Sequence, residues 1–209
     1  MTEPLLSMPD FNRIHRVANG AIDQIGTTSR ACMFFACFGS FMLNKHYKVP
    51  ARPVAGGFGI CVDEHEHVLM FGKNVDGRIE SGSDGFHMWV QTENHIIDFM
   101  SPIYPEAAED TLPGIEVPRK MLQRTFDSEV QQPNDLARPG DFITLPNPAL
   151  TDELVETFTD RPMTADLILI AKAWFGNRRG TQKPNFGMMD NKGEQFQLKL
   201  PPAKANGAW

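Results

Sequence analysis

The sequence predicts an α+β protein in which a buried N-terminal helix carrying Cys32 packs on an antiparallel β-sheet. Three observations lead there. Arg30 to Asn44 is apolar on nearly every side (Met33, Phe34, Phe35, Phe38, Phe41, Met42, Leu43), as a helix enclosed by other elements must be. Short strand-like runs follow one another from Val54 to Met100 with polar or glycine-rich breaks between them. The helical patterns precede the strands instead of alternating with them, which favours segregated α and β layers.

The elements follow in order. Asp10 to Ile25 places Phe11, Ile14, Val17, Ala21, Ile22 and Ile25 at helical spacing, and Gly26 ends it. Thr27, Thr28 and Ser29 offer caps for the buried helix. Val54 to Val62 is the body of a strand, "DEHE" a turn, and His67 to Gly72 the next strand. Lys73 to Gly85 is loop by its glycine, serine and aspartate content. Phe86 to Gln91 and His95 to Met100 form a hairpin. Pro102 to Pro118 reads as irregular, "DLARPGDFITLP" as a turn into a strand, and "NPALTDELVETF" as a helix capped by Thr151. "ADLILIAKAWFG" reads as a strand, and so does the alternating "EQFQLKLP". The expected organisation is one domain over 1–209: a core at 10–100, sheet extension and wrapping elements at 101–200, and a loose tail at 201–209.

Composition sets limits on function. The 209 residues carry a net charge of −6, with 41% hydrophobic and 22% charged residues. An acidic surface argues against nucleic acid or an anionic membrane as partner. The longest apolar run, Ala31 to Leu43, is shorter than the ~20 residues a spanning helix needs. "MTEPLLSMPDFNR" lacks the basic start and apolar core of a signal peptide. The three cysteines (Cys32, Cys37, Cys61) fit neither a disulfide framework nor a zinc ribbon. A cytoplasmic protein with free thiols is expected, with no cofactor.

The stretch "HMWVQTENHIIDF" raises the functional question. With Thr92-Glu93 as the turn, His87 falls opposite Asp98, and both share a face with Trp89. With Glu93-Asn94 as the turn, Asp98 moves opposite Trp89 and lies diagonal to His87 on that same face. In either of these registers a carboxylate can orient an imidazole, which then needs a nucleophile; a three-residue loop without a compensating bulge would put Asp98 on the wrong face. Cys32 begins the buried helix, where the helix dipole favours a thiolate. Cys37 lies past that terminus, and Cys61 ends a strand.

In this order the residues resemble the transglutaminase-like branch of the papain-like cysteine peptidase superfamily. The likeness covers roughly residues 24 to 100. It rests on "ACMFFA", on Pro50, Ala51, Arg52, Val54 and Gly56, on the His-x-Trp-Val strand at His87 to Val90, and on Asp98. Within that fold the chain is similar to a small group of uncharacterised bacterial proteins. It departs from the pattern at Met33, where an aromatic residue is usual, and at Ala31, where glycine is. The resemblance implies a papain/transglutaminase-like core and a Cys32–His87–Asp98 triad. That triad would act on a peptide, amide or ester through an acyl-enzyme passed to water or an amine. It also implies Gln24 as an oxyanion donor and Trp89 as a wall beside the imidazole. Two alternatives stand beside this reading: an inactive binding protein on the same fold, and a metal-dependent protein using Asp63, His65 and His67.

Overall fold

The computed structural model describes residues 4–23, 31–75, 78–189 and 192–209. Helix α1 (Met8–Ile22) starts two residues before the expected point because the Ser7 hydroxyl accepts the Asp10 amide and caps it. Its inner face, Phe11, Ile14, Val17, Ala18 and Ala21, is fully buried. Helix α2 (Cys32–Met42) runs on as a π-helical turn, Leu43–Tyr47, which ends at Lys48 with φ 59°. α2 packs against α1 and against two strands of the sheet, so each of its sides meets apolar surface. The proposed caps at Thr27 to Ser29, the terminating Gly26 and the oxyanion candidate Gln24 lie outside the described residues.

Among the described residues ten strands follow: β1 (Arg52–Cys61), β2 (Val68–Phe71), β3 (Lys73–Val75), β4 (Arg78–Glu80), β5 (His87–Gln91), β6 (His95–Asp98), β7 (Leu122–Thr125), β8 (Phe142–Pro146), β9 (Asn185–Met189) and β10 (Gln195–Lys199). The main sheet is antiparallel, in the order β2-β1-β5-β6-β7, with β8 also on β1. β1 is unusual in serving three partners. β8 pairs with Gly56–Ile60, β5 with Arg52–Gly56 and β2 with Phe58–Cys61. A strand residue has one partner on each edge, so β5 and β2 share the edge opposite β8 and part at Gly57. Gly56 lets β8 approach: a Cβ there would lie 2.1 Å from the Leu145 carbonyl oxygen. The chain leaves the fork at Phe71, makes the β3–β4 hairpin, and returns at His87. The expected loop at 73–85 is therefore a small two-stranded arm.

Three further expectations need correction. "ADLILIAKAWFG" belongs to a helix, α5 (Pro162–Phe175), not a strand. The element runs for 14 residues, longer than a typical strand, and Pro162 at its start suits a first helical turn. Helix α4 (Pro148–Thr159) is capped by Asn147, whose side chain accepts the Leu150 amide. Thr151 sits one turn inside it, and its hydroxyl accepts the Ala55 amide at 2.9 Å, tying α4 to β1. The tail at 201–209 is docked, not loose. The Met121 amide donates to Gly207 O (2.8 Å), the Trp209 amide to Met121 O (3.1 Å), and the Ala205 amide to Asn12 Oδ1 (2.7 Å). These bonds satisfy backbone groups just before β7 that would otherwise face solvent. β8, the strand read from "DLARPGDFITLP", joins the main sheet, as does β7, a strand not expected from the sequence, whereas among the described residues β9 and β10 pair only with each other. One core cluster takes in Leu6, α1, α2, both C-terminal helices and Ala205, so the two halves of the chain share an interior.

Candidate active site

The turn of the β5–β6 hairpin is Glu93-Asn94. Gln91 pairs with Ile96, and the Thr92 amide donates to His95 O at 2.9 Å. The Thr92 hydroxyl accepts the His95 amide and closes the turn from the side. Thr92-Glu93, the turn that would set His87 directly opposite Asp98, is not used. Asp98 instead lies opposite Trp89 and diagonal to His87, on the same face.

The diagonal is short enough. His87 Nε2 donates to Asp98 Oδ2 at 2.6 Å, with the two residues 0% and 1% exposed. An ionised carboxylate only accepts, so the proton lies on Nε2. Asp98 is itself held: Oδ1 accepts the Met100 amide (2.8 Å), and Oδ2 also accepts the Tyr104 hydroxyl. Tyr104 opens helix α3 (Tyr104–Ala108), a short element inside the proline-spaced stretch expected to be irregular. The Ser101 hydroxyl donates to Asp98 O and fixes the turn that brings Tyr104 back.

The imidazole lies flat on Phe71, with ring centroids 4.3 Å apart and an interplanar angle of 24°, and Phe58 approaches to 5.3 Å. Phe71 ends β2 at the fork and so lies beside His87, which begins β5. Trp89, expected as the wall, packs one layer away against Phe58 at 6.1 Å. The wall is Phe71, which sequence reasoning missed because the fork exists only once β1 has paired with three strands.

Burial alone would drive the His87 proton off. The Asp98 charge and hydrogen bond, aided by Cys32, overcome it and raise the imidazole from 6.5 to about 10. Cys32 lies close enough to this ring to add to the upward shift. Since Nε2 is taken by Asp98, the nitrogen left for the thiol is Nδ1, which is buried and makes no hydrogen bond among the described residues. Cys32 is the first residue of α2, and the capping position, Ala31, supplies no side-chain hydrogen bond to the first-turn amides. Burial, with a smaller contribution from Cys32, pushes the Cys37 thiol up to about 12, and burial also raises Cys61. Cys32 and His87 both line a cleft of about 480 Å³ bounded by Phe71, Phe86 and Met100.

The "DEHEH" stretch is a turn. Asp63 Oδ1 accepts the amides of His65 (2.9 Å) and His67 (3.1 Å), and Oδ2 pairs with His67 Nδ1 at 2.7 Å. Its carboxylate is committed to the backbone. No group of three or more His, Cys, Asp or Glu side chains converges on a metal position among the described residues. Among those residues, too, no helix is long and apolar enough to cross a membrane.

The family model DUF2026, described as "Protein of unknown function", matches residues 7–209, and the chain belongs to that family. The chain is similar to the crystal structure of a genomics target, with a TM-score of 0.86 and 28% sequence identity over 100% of this chain and 99% of the other. No curated protein matches it.

Proposed function

We propose that this member of the DUF2026 family is a thiol-dependent hydrolase or acyltransferase, with Cys32, His87 and Asp98 acting as a triad on a papain/transglutaminase-like core. One observation carries the reading. A buried histidine has one nitrogen held by a carboxylate and the other left unbonded, in a cleft that also holds a cysteine at a helix N-terminus.

The chemistry follows from the positions. Nδ1 of His87 takes the Cys32 proton, and Asp98 stabilises the imidazolium. The thiolate attacks the carbonyl carbon of an amide, peptide or ester. The negative charge developing on oxygen falls near the first-turn amides of α2, the Cys32 N–H among them. When the intermediate collapses, the bond to the leaving amine or alcohol breaks and that group takes the proton from Nδ1. Water, or an amine, then gives its proton to Nδ1 and attacks the thioester. The acyl product departs, and the thiol regains its proton.

Iodoacetamide labelling at neutral pH, read by peptide mass spectrometry, tests this. Cys32 should be modified first, since burial holds Cys37 and Cys61 in the thiol form, and His87→Ala should slow the modification of Cys32 by tenfold or more, on the order expected for loss of a general base. Equal labelling of the three thiols, or a Cys32 rate indifferent to His87, would sink the proposal.

A further inference from the structure

We infer that the cleft beside Cys32 selects apolar acyl groups and disfavours those that end in a negative charge, an inference that rests on the triad reading above. The walls suggest this first. Phe71 and Phe86 line the cleft and are both half-buried, and with Met100 and Ala107 they make the larger share of its lining apolar.

The rim decides the charge preference. Between Phe71 and His87 the arm ends in a tight turn, in which Gly82 and Gly85 exchange two backbone hydrogen bonds (3.1 and 3.0 Å) across Ser83-Asp84. That turn carries Ser83 and Asp84 to the cleft mouth. Apart from His87, Asp84 is the only formally charged side chain among the described lining residues. The ammonium nearest it, Lys73, is already paired with it and is not part of the lining. An acyl chain on Cys32 therefore meets aromatic and aliphatic surface along its length and a carboxylate at the opening. Each methylene removed from water favours binding about fourfold, whereas a second carboxylate loses water and finds no unpaired cation among the described lining residues, Lys73 being held by Asp84.

Four p-nitrophenyl esters test this: acetyl, hexanoyl, para-methylphenylacetyl and para-carboxyphenylacetyl. In acylation the ester C–O bond breaks, the C–S bond to Cys32 forms, and p-nitrophenolate leaves. Its burst gives the acylation kcat/KM, corrected for each ester's reactivity with hydroxide. Hexanoyl should exceed acetyl by at least about tenfold, and the para-methylphenylacetyl ester should exceed its para-carboxy analogue by a similar factor. Asp84→Asn, which frees Lys73 from its partner, should raise the para-carboxy ester relative to the para-methyl one about threefold. Phe86→Ala should shrink the hexanoyl advantage. If Cys32 labelling depends on His87 while all four esters react alike, the selectivity is wrong and the triad stands. Ratios that ignore both variants overturn the selectivity in the same way. If labelling and burst are both indifferent to His87→Ala, the triad reading fails and this inference fails with it.

Discussion

Exchanging Asp98 for Asn, in a protein whose Cys32 is already replaced by Ser, removes the negative charge from His87 and keeps the shape of the site. The serine matters because a thiol that ionises would take part in the same proton balance. In the intact site His87 titrates at about 10 instead of 6.5. At about 1.4 kcal/mol per pH unit this corresponds to ~5 kcal/mol. A separate comparison gives the same order: removing one partner of a buried ion pair costs about 3–5 kcal/mol. The serine background lowers the figure, since Cys32 supplies part of the upward shift. The folded value lies above the unfolded one. The stabilisation is therefore complete below about pH 6.5 and is lost as pH rises towards about 10. With Asn at position 98, burial dominates and His87 enters the folded state neutral, so that pH dependence disappears. Urea unfolding followed by tryptophan fluorescence, from about pH 6.5 to about pH 9, reads the difference between the two proteins. The gap should be a few kcal/mol at the acid end and close by about 1.4 kcal/mol per pH unit. Titration of Cys37 and Cys61 is common to both proteins and cancels. A gap that stays constant across the window would mean that His87 is not charged when folded, and the ion-pair description of the site would be wrong.

Tyr104→Phe keeps the ring among Phe58, Phe71 and His87 and removes only the hydroxyl donated to Asp98. Loss of a hydrogen bond to a charged group should cost about 1.5–3 kcal/mol in urea unfolding, and a change within experimental error would show that Asp98 does not depend on it. His15 is fully buried, its ring bonded to Phe99 O at 2.7 Å, and burial lowers its proton affinity from 6.5 to about 4. Its folded value is the lower one, so stability should be intact above about pH 6.5 and fall by roughly 3 kcal/mol as pH drops through about 4. His15→Gln should flatten that acid limb, and an unchanged limb would assign the loss to other groups. Gly56→Ala drives a methyl into the Leu145 carbonyl, 2.1 Å away. Parting β1 from β8 should cost about 3 kcal/mol or more, and a melting temperature equal to wild type would contradict the close approach of those strands.

Much of this site was legible from local patterns. Helical periodicity located α1 and α2, and it set Cys32 at the start of a buried helix. Side chains in a strand alternate with period two, so both two-residue turns considered left His87 and Asp98 on one face; the choice between them changed only whether they stood opposite or diagonal. Periodicity is a property of neighbours in the chain, and it survives whatever the rest of the fold does. The errors lay where neighbours do not decide. The apolar run in α5 has no clear period, so its length and its first proline were the only guides. The tail holds nothing in its own composition that fixes it; it is ordered by bonds to Met121 and Asn12, far away in sequence.

The sequence by itself determined the α+β layering and the buried helix headed by Cys32, because backbone periodicity and burial are written residue by residue; it placed His87 and Asp98 on one face only for a two-residue turn, which the structure supplies. Only the tertiary structure decided that β1 forks at Gly57, so that Phe71 lies flat on His87. It alone brought Tyr104 back onto Asp98 and left Nδ1 unbonded in a cleft with Cys32. Those contacts join segments whose separation along the chain bears no relation to their distance in space, and the packing of the whole domain sets them.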